Sequence, residues 1–318
     1  MTRPQRPILL AGPTASGKSG LALALAERLG GWVINADSQQ VYAAWRVLSA
    51  RPSAEDEARA PHHLYGHLPL ETPHSAGAWL REVDTVLAQA ARAGARAIVT
   101  GGTGLNFRAL TEGLSEIPAT PTAIRAQFTA LLERDGLTEC AAVLRRRDPE
   151  TAEKIDLANP ARVQRALEVL EATGRGLSAW QAATPPPLLP SSRAIRLVID
   201  APADWSDQRI AARFDAMLAG GAIEEVAAVL ATGADPSLPG MKAIGVAEIG
   251  KYLRGEATLE ETAAAGTLAT RRYAKRQRTW FRNQMAEWTR LPATGDLLAG
   301  ALGAIEAAET GRFRESSP

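Results

Sequence analysis

The run Gly12, Pro13, Thr14, Ala15, Ser16, Gly17, Lys18 and Ser19 constrains this chain more than any other feature. It satisfies G-x-x-x-x-G-K-[ST] in full. It follows a short apolar run, Pro7 to Ala11, and opens an Ala/Leu-rich stretch, Ser19 to Leu29, that Gly30-Gly31 closes. A strand, then a glycine-rich loop, then a helix is the context in which this motif cradles phosphate. Gly12 and Gly17 let the backbone curl so that N–H groups face an anion. The helix N-terminus adds partial positive charge. Lys18 supplies a point charge to the terminal phosphate, and Ser19 is the hydroxyl that ligates Mg2+. The motif predicts a bound polyphosphate. It leaves open which one, and whether a phosphoryl group moves.

Three further apolar runs, Trp32–Ala36, Ala97–Thr100 and Ile195–Ile199, read as strands separated by helical stretches, which predicts a parallel α/β sheet. Between Pro118-Ala-Thr-Pro121 and Pro185-Pro-Pro187 the pattern is helical without a strand candidate. We therefore expect a core built from residues 1–117 plus 191–318 and a helical insertion over 118–190, the alternative being that these helices simply cover the sheet. A chain of 318 residues suits two domains of ordinary size, and 46% apolar residues suffice for a core. The tail beyond about Leu291 carries little pattern, and Glu315–Pro318 is expected to fray. One cysteine, Cys140, excludes an internal disulfide framework and fits a reducing compartment. No apolar run is long enough to span a bilayer. The start, Met1 to Pro7, is polar and unlike a secretory leader. The expectation is a cytoplasmic protein without a membrane partner.

Asp37 follows the second strand, where ligands of an open parallel sheet gather, and would face the crevice that holds Lys18. A carboxylate there suits a general base, or else a helix cap or a water-mediated contact to Mg2+. The third strand ends in Thr100-Gly-Gly-Thr103-Gly104 and carries no acid of the kind that holds Mg2+ in nucleotide-cleaving relatives of this loop.

Lys+Arg 36 nearly balances Asp+Glu 35, so a nucleic-acid partner needs a local basic face. Thr270–Arg282 offers one: Arg271, Arg272, Lys275, Arg276, Arg278 and Arg282 stand in thirteen residues without an acid. At about 100° per residue, Arg271, Lys275, Arg278 and Arg282 share a stripe, with Tyr273 and Trp280 opposite. A phosphate backbone is its natural partner, a solvated face the plainer alternative. Asn159-Pro160 starts a second basic helix carrying Arg162 and Arg165. His62, His63, His67 and His74 cluster in a proline-broken segment and read as a loop near the crevice, not as a zinc site.

Taken in order, Gly12–Ser19, Asp37-Ser38-x-Gln40-x-Tyr42, Val99–Gly104, Asn159-Pro-x-Arg-x-x-Arg-Ala-Leu-Glu-Val169 and Thr270–Arg282 resemble the tRNA dimethylallyltransferase family, also called tRNA isopentenyltransferases or IPP transferases. The likeness spans roughly residues 7–290. It implies a P-loop NTPase-like parallel sheet flanked by helices, with an inserted all-helical domain. It implies transfer of a dimethylallyl group from dimethylallyl diphosphate to N6 of the adenosine at tRNA position 37, with Mg2+, in a monomer. The stretch after Tyr42 and the run Gly245-Val246-Ala247 depart from the family pattern. A small-molecule or polynucleotide kinase, and an RNA-binding NTPase switch, are the alternatives.

By the same resemblance Asp37 is the base, and Lys18, Thr14 and an arginine after the fourth strand hold the leaving diphosphate. Arg213 is the candidate and Arg209 the second choice. The tRNA contacts so implied are Asp37, Ser38, Gln39, Gln40, Thr103, Arg125, Ala161, Arg162, Val163, Gln164, Arg165, Lys242, Gly245, Lys275, Arg276, Arg278 and Arg282.

Overall fold

The computed structural model describes residues 5–311. The expected fraying at Glu315–Pro318 and the opening Met1–Pro4 lie outside them. Strand β1 (Ile8–Ala11) is wholly buried. Its unbroken apolar run is what a strand covered on both faces requires. The phosphate loop follows, then α1 (Lys18–Leu29), which Gly30 closes in the left-handed conformation at φ 64°. Next come β2 (Gly31–Asn35), α2 (Ala54–Arg59), the two-residue β3 (His62–His63), α3 (Ala76–Arg92), β4 (Arg96–Gly101) and α4 (Gly104–Glu112).

The chain divides into two compact units, one holding everything up to Thr111 and from Leu189 onward, the other Glu112–Leu188. The second unit is all helical: α5 (Thr122–Arg147), interrupted at Gly136, α6 (Pro149–Lys154), α7 (Pro160–Thr173) and α8 (Leu177–Ala182). Its core packs Phe128, Leu144, Val163 and Leu167, with Ile117 against them. That contact explains why the unit begins before the proline pair at 118–121. As the sequence suggests, Asn159 caps α7 by accepting the Arg162 N–H, and Pro160 sits in its first turn.

Back in the first unit follow β5 (Ile195–Asp200), α9 (Ala203–Met217), a π-helical turn Leu218–Ala222, α10 (Ile223–Ala231), α11 (Val246–Leu253), α12 (Leu259–Gln284), β6 (Thr289–Pro292) and α13 (Leu297–Thr310). The sheet is parallel throughout, in the order β3-β2-β4-β1-β5-β6. Strand β1 lies between β4 and β5, so the chain leaves it toward opposite edges and opens a crevice at its carboxyl end. Helices α1 and α13 cover one face through Leu21, Leu25, Ala301 and Ile305. A second apolar cluster joins Val41, Tyr42, Trp45 and Leu48 to Val226, Val246 and Ile249. Among the described residues no helix is long and apolar enough to cross a membrane.

Three elements escape the sequence pattern. Strands β3 and β6 are short edges; of β6 only Leu291 is buried. Helix α13 lies in the tail that carries little pattern, yet Asp296 caps it by accepting the Ala299 N–H and it seals the α1 side of the sheet.

Candidate active site

The phosphate loop is held in the shape its glycines permit. A Cβ on Gly12 would come 2.7 Å from Ser16 Oγ, and Gly17 takes φ 90°. Ala15 is itself left-handed at φ 60°, strain that the surrounding contacts must hold. Lys18 Nζ donates to the Pro13 carbonyl at 3.4 Å, and Arg209 Nε to the Ala15 carbonyl at 3.1 Å. Arg209 thus braces the loop from α9, its guanidinium stacked over Trp205.

One turn further along α9, Arg213 is half-buried and lines the same cleft as Lys18 and Asp37, whose charges it feels. Burial lowers the Lys18 pKa to about 8; the Asp37 carboxylate opposes that shift, and Arg213 adds to it. Burial also pulls the Arg213 guanidinium below its ordinary value, against the pull of Asp37. Two cations and one carboxylate therefore line one pocket.

Asp37 is aimed by its neighbours. Buried Asn35 accepts the Asp37 N–H at 2.7 Å and donates to the carbonyls of Asp37 and Leu64. The Asp37 carboxylate accepts the Gln39 N–H at 3.0 Å. Trp79, fully buried, donates to the Asn35 carbonyl. Thr103 Oγ1 accepts the Ser38 N–H, tying this loop to the end of β4. Gly101 is needed there because a Cβ would strike the Ala36 backbone at 2.3 Å. Thr100, one residue before the end of β4, stands where a nucleotide-cleaving protein would carry a metal-holding acid.

A cleft of about 270 Å³ links these groups. Thr14, Lys18, Asp37 and Arg213 line its polar end; Leu48, Ile210, Phe214 and Met217 its apolar wall. Lys242 and Arg276 stand at its rim, both exposed. Tyr273 reaches in from α12, its hydroxyl facing Thr103 and Gln277, and burial together with Asp37 raises its pKa. A second hollow of about 400 Å³ is lined by loop residues from Ala15 to Gly20 and by Arg209 and Arg213, and shares Ala15, Lys18 and Arg213 with the first.

Several residues proposed from sequence turn out to have structural work. The Gln40 amide donates to the carbonyls of Ser49 and Ala50, and the Gln39 amide to Pro239. The Thr14 N–H donates to Gln277, so that amide is not directed at an anion. Gly245, buried with φ 104°, starts α11. On α12, Arg272, Lys275, Arg276 and Arg282 are exposed. Arg271 departs from the expected free stripe: it pairs with Asp207 of α9 at 3.5 Å. Arg278 is half-buried.

In the helical unit Arg125 and Arg165 both approach the buried Glu168 at 3.8 Å, and Gln164 donates to the same carboxylate. Ala161 and Arg162 are exposed. Val163 is fully buried, so it has no side-chain surface to give an RNA. Of the four histidines, His63 stacks on Trp32, His62 bonds the Ala60 carbonyl, and His67 and His74 share Glu82.

Sequence reasoning missed Asn35, Gln277 and Glu225. Glu225 of α10 accepts the N–H groups of Arg46, Val47 and Leu48, fixing the segment that lends Leu48 to the cleft. Each acts through backbone bonds to residues distant in sequence, apart from Asn35, whose place beside Asp37 was a signal available for reading.

Residues 40–284 match the family model described as IPP transferase. A tRNA dimethylallyltransferase from Dinoroseobacter shibae is 58% identical over 90% of this chain and 95% of its own length. One from Paracoccus denitrificans is 52% identical over 90% and 94%. The crystal structure of the tRNA isopentenylpyrophosphate transferase of Bacillus halodurans superposes with a TM-score of 0.68 at 28% identity, covering 98% of this chain and all of its own. A eukaryotic dimethylallyltransferase solved while acting on tRNA shares the fold, with a TM-score of 0.78 at 24% identity over 99% of this chain and 80% of that one. With the family model matched over residues 40–284 and relatives 58% and 52% identical along 90% of its length, the chain belongs to the IPP transferase family.

Proposed function

We propose that the protein transfers the dimethylallyl group of dimethylallyl diphosphate to N6 of the adenosine at tRNA position 37, beside the anticodon on its 3′ side, and releases diphosphate. The observation that carries this is the single cleft in which Asp37, Lys18 and Arg213 meet between a phosphate loop and an apolar wall. N6 attacks the allylic carbon, the carbon–oxygen bond breaks, and its electron pair leaves with the diphosphate. Asp37 takes the N6 proton. Lys18, Arg213 and the N-terminus of α1 meet the charge that develops on the leaving group, the largest expected contribution to rate.

Ser19 is the residue that would hold Mg2+. It is exposed at the first turn of α1, in a hollow whose lining has no acidic residue. One hydroxyl and no carboxylate suits an ion that keeps its waters and rides on phosphate oxygens. When bound, Mg2+ neutralises diphosphate charge.

The adenine must leave its stack to reach Asp37. Arg276 and Lys242 at the rim, and Lys275, Arg278 and Arg282 on α12, are the proposed backbone contacts, with Arg125, Ala161, Arg162 and Arg165 of the helical unit. In this reading the protein is a monomer that works on tRNA in the cytoplasm. Incubation with Mg2+, labelled dimethylallyl diphosphate and tRNA, followed by nucleoside analysis, tests the proposal. Label in an N6-substituted adenosine supports it. ATP-dependent phosphorylation of an acceptor, with no such nucleoside, would overturn it in favour of a kinase.

A further inference from the structure

We infer that buried Glu168 is a positioning residue, holding Arg125 and Arg165 side by side as one phosphate-gripping pair in the helical unit; this rests on the tRNA contacts proposed above.

Two helices interlock here. On α5, Arg125 and Thr129 stand about one turn apart, and on α7 so do Gln164 and Glu168. The Gln164 amide donates to Thr129 Oγ1 at 2.9 Å and to Glu168 Oε1 at 3.0 Å, which ties the carboxylate to both helices. Glu168 is only 4% exposed. A carboxylate so buried needs cations, and each of its oxygens faces a different one. Oε1 lies 3.8 Å from Arg125 Nε, and Oε2 lies 3.8 Å from Arg165 Nη1.

At that distance neither ion pair is a hydrogen bond. Elsewhere in the molecule an arginine and a carboxylate close up fully: Arg59 grips Glu27 through two bonds of 2.8 and 2.9 Å. Glu168 instead draws two guanidiniums together without occupying their donors. Arg165 gives one N–H to Thr120 at 2.6 Å, and the Arg125 side chain stays 63% exposed. Two like charges repel, and the carboxylate between them is what lets them stand together. The trio carries one net positive charge, the complement of one phosphodiester. Arg162 is exposed and turned about 120° from Glu168 around α7, so it escapes this control.

The test measures tRNA affinity, KM and kcat for wild type, Glu168→Gln and Glu168→Asp, alone and combined with alanine at Arg125, Arg165 or Arg162. Charge alone predicts that deleting a carboxylate beside RNA strengthens binding. Positioning predicts the opposite sign. Glu168→Gln keeps the volume and the bond from Gln164. It should weaken tRNA binding about three- to tenfold and raise KM for tRNA, with kcat at saturating tRNA and KM for dimethylallyl diphosphate held. Glu168→Asp keeps the charge and should recover part of that loss. The loss should vanish when Arg125 and Arg165 are already alanine, and persist when Arg162 is. Should the glutamine variant misfold, the aspartate variant carries the comparison: its shorter side chain should weaken tRNA binding, again only while both arginines are present. Unchanged or tighter binding overturns the inference. So does a loss that persists without the two arginines, which would leave Glu168 a fold residue. If alanine at both arginines leaves tRNA binding level while the wild type still modifies tRNA, this inference falls and prenyl transfer stands. If the wild type places no label on tRNA, the prenyl-transfer reading itself falls.

Discussion

The backbone N–H of Thr14 donates to Gln277 Oε1 at 2.9 Å, and the same amide donates from Nε2 to the Gly102 carbonyl at 2.9 Å. One buried side chain of α12 thereby joins the phosphate loop to the loop after β4. Gly102 makes this possible, since a Cβ there would meet Gln277 Nε2 at 2.2 Å.

Replacing Gln277 by Leu strands a part-buried N–H and a buried carbonyl, the carbonyl alone worth roughly 1–3 kcal/mol when left unpaired. The variant should unfold at lower temperature and show a raised KM for dimethylallyl diphosphate. Calorimetry and initial rates check this; wild-type values in both would mean that the bridge holds nothing.

Lys18 gives the site a pH dependence. Its folded pKa, about 8, lies below the ordinary lysine value of 10.5 because of burial. Diphosphate binding needs the ammonium form, so as pH rises through about 8 the apparent affinity should weaken by up to tenfold per unit. Between about 8 and 10.5 the unfolded chain binds the proton that the folded one has released, so this group's contribution to stability rises with pH across that window. Below it the buried charge is a net cost. Titration calorimetry with diphosphate between about pH 6 and 10 checks the first statement; affinity that stays level would contradict it.

Arg213 is assigned to the leaving group. Arg213→Ala should lower turnover about 10²–10³-fold, the range seen when one donor to a developing anion is removed. Rapid-quench measurement of the transfer step checks it. A loss below tenfold would move the role to Arg209 or Lys18.

Lys275 and Arg271 share a helix but not an environment. Lys275 is exposed, whereas Arg271 is paired with Asp207. Lys275→Ala should therefore reduce the slope of log affinity for tRNA against log salt by about 0.7–0.9, and Arg271→Ala should leave it nearly unchanged. Equal slopes in both variants would show that α12 presents only a solvated face.

Much of the site was legible because it is local in sequence. The phosphate loop needs consecutive residues, and Asp37 comes straight after a strand whose apolar run is unmistakable. Arg213 is named only through the family resemblance, with Arg209 as second choice, and packing is what distinguishes them: one lines the cleft with Lys18, the other bonds a loop carbonyl. Gln277 and Glu225 were invisible because their partners lie 263 and 177–179 residues away. Strand β6 and helix α13 were missed for a related reason. An edge strand needs one buried side chain, and an Ala/Gly-rich helix shows little contrast between faces until another element covers it.

The most direct measurement follows Asp37. Wild type and Asp37→Asn are compared with Mg2+, labelled dimethylallyl diphosphate and tRNA under single-turnover conditions, with tRNA affinity measured in parallel. The wild type should place label on N6 of the adenosine at position 37. The variant should be slower by about 10²–10⁴-fold while binding tRNA nearly as well. An unchanged rate in the variant, or label absent from adenosine with the wild type, would contradict the central claim.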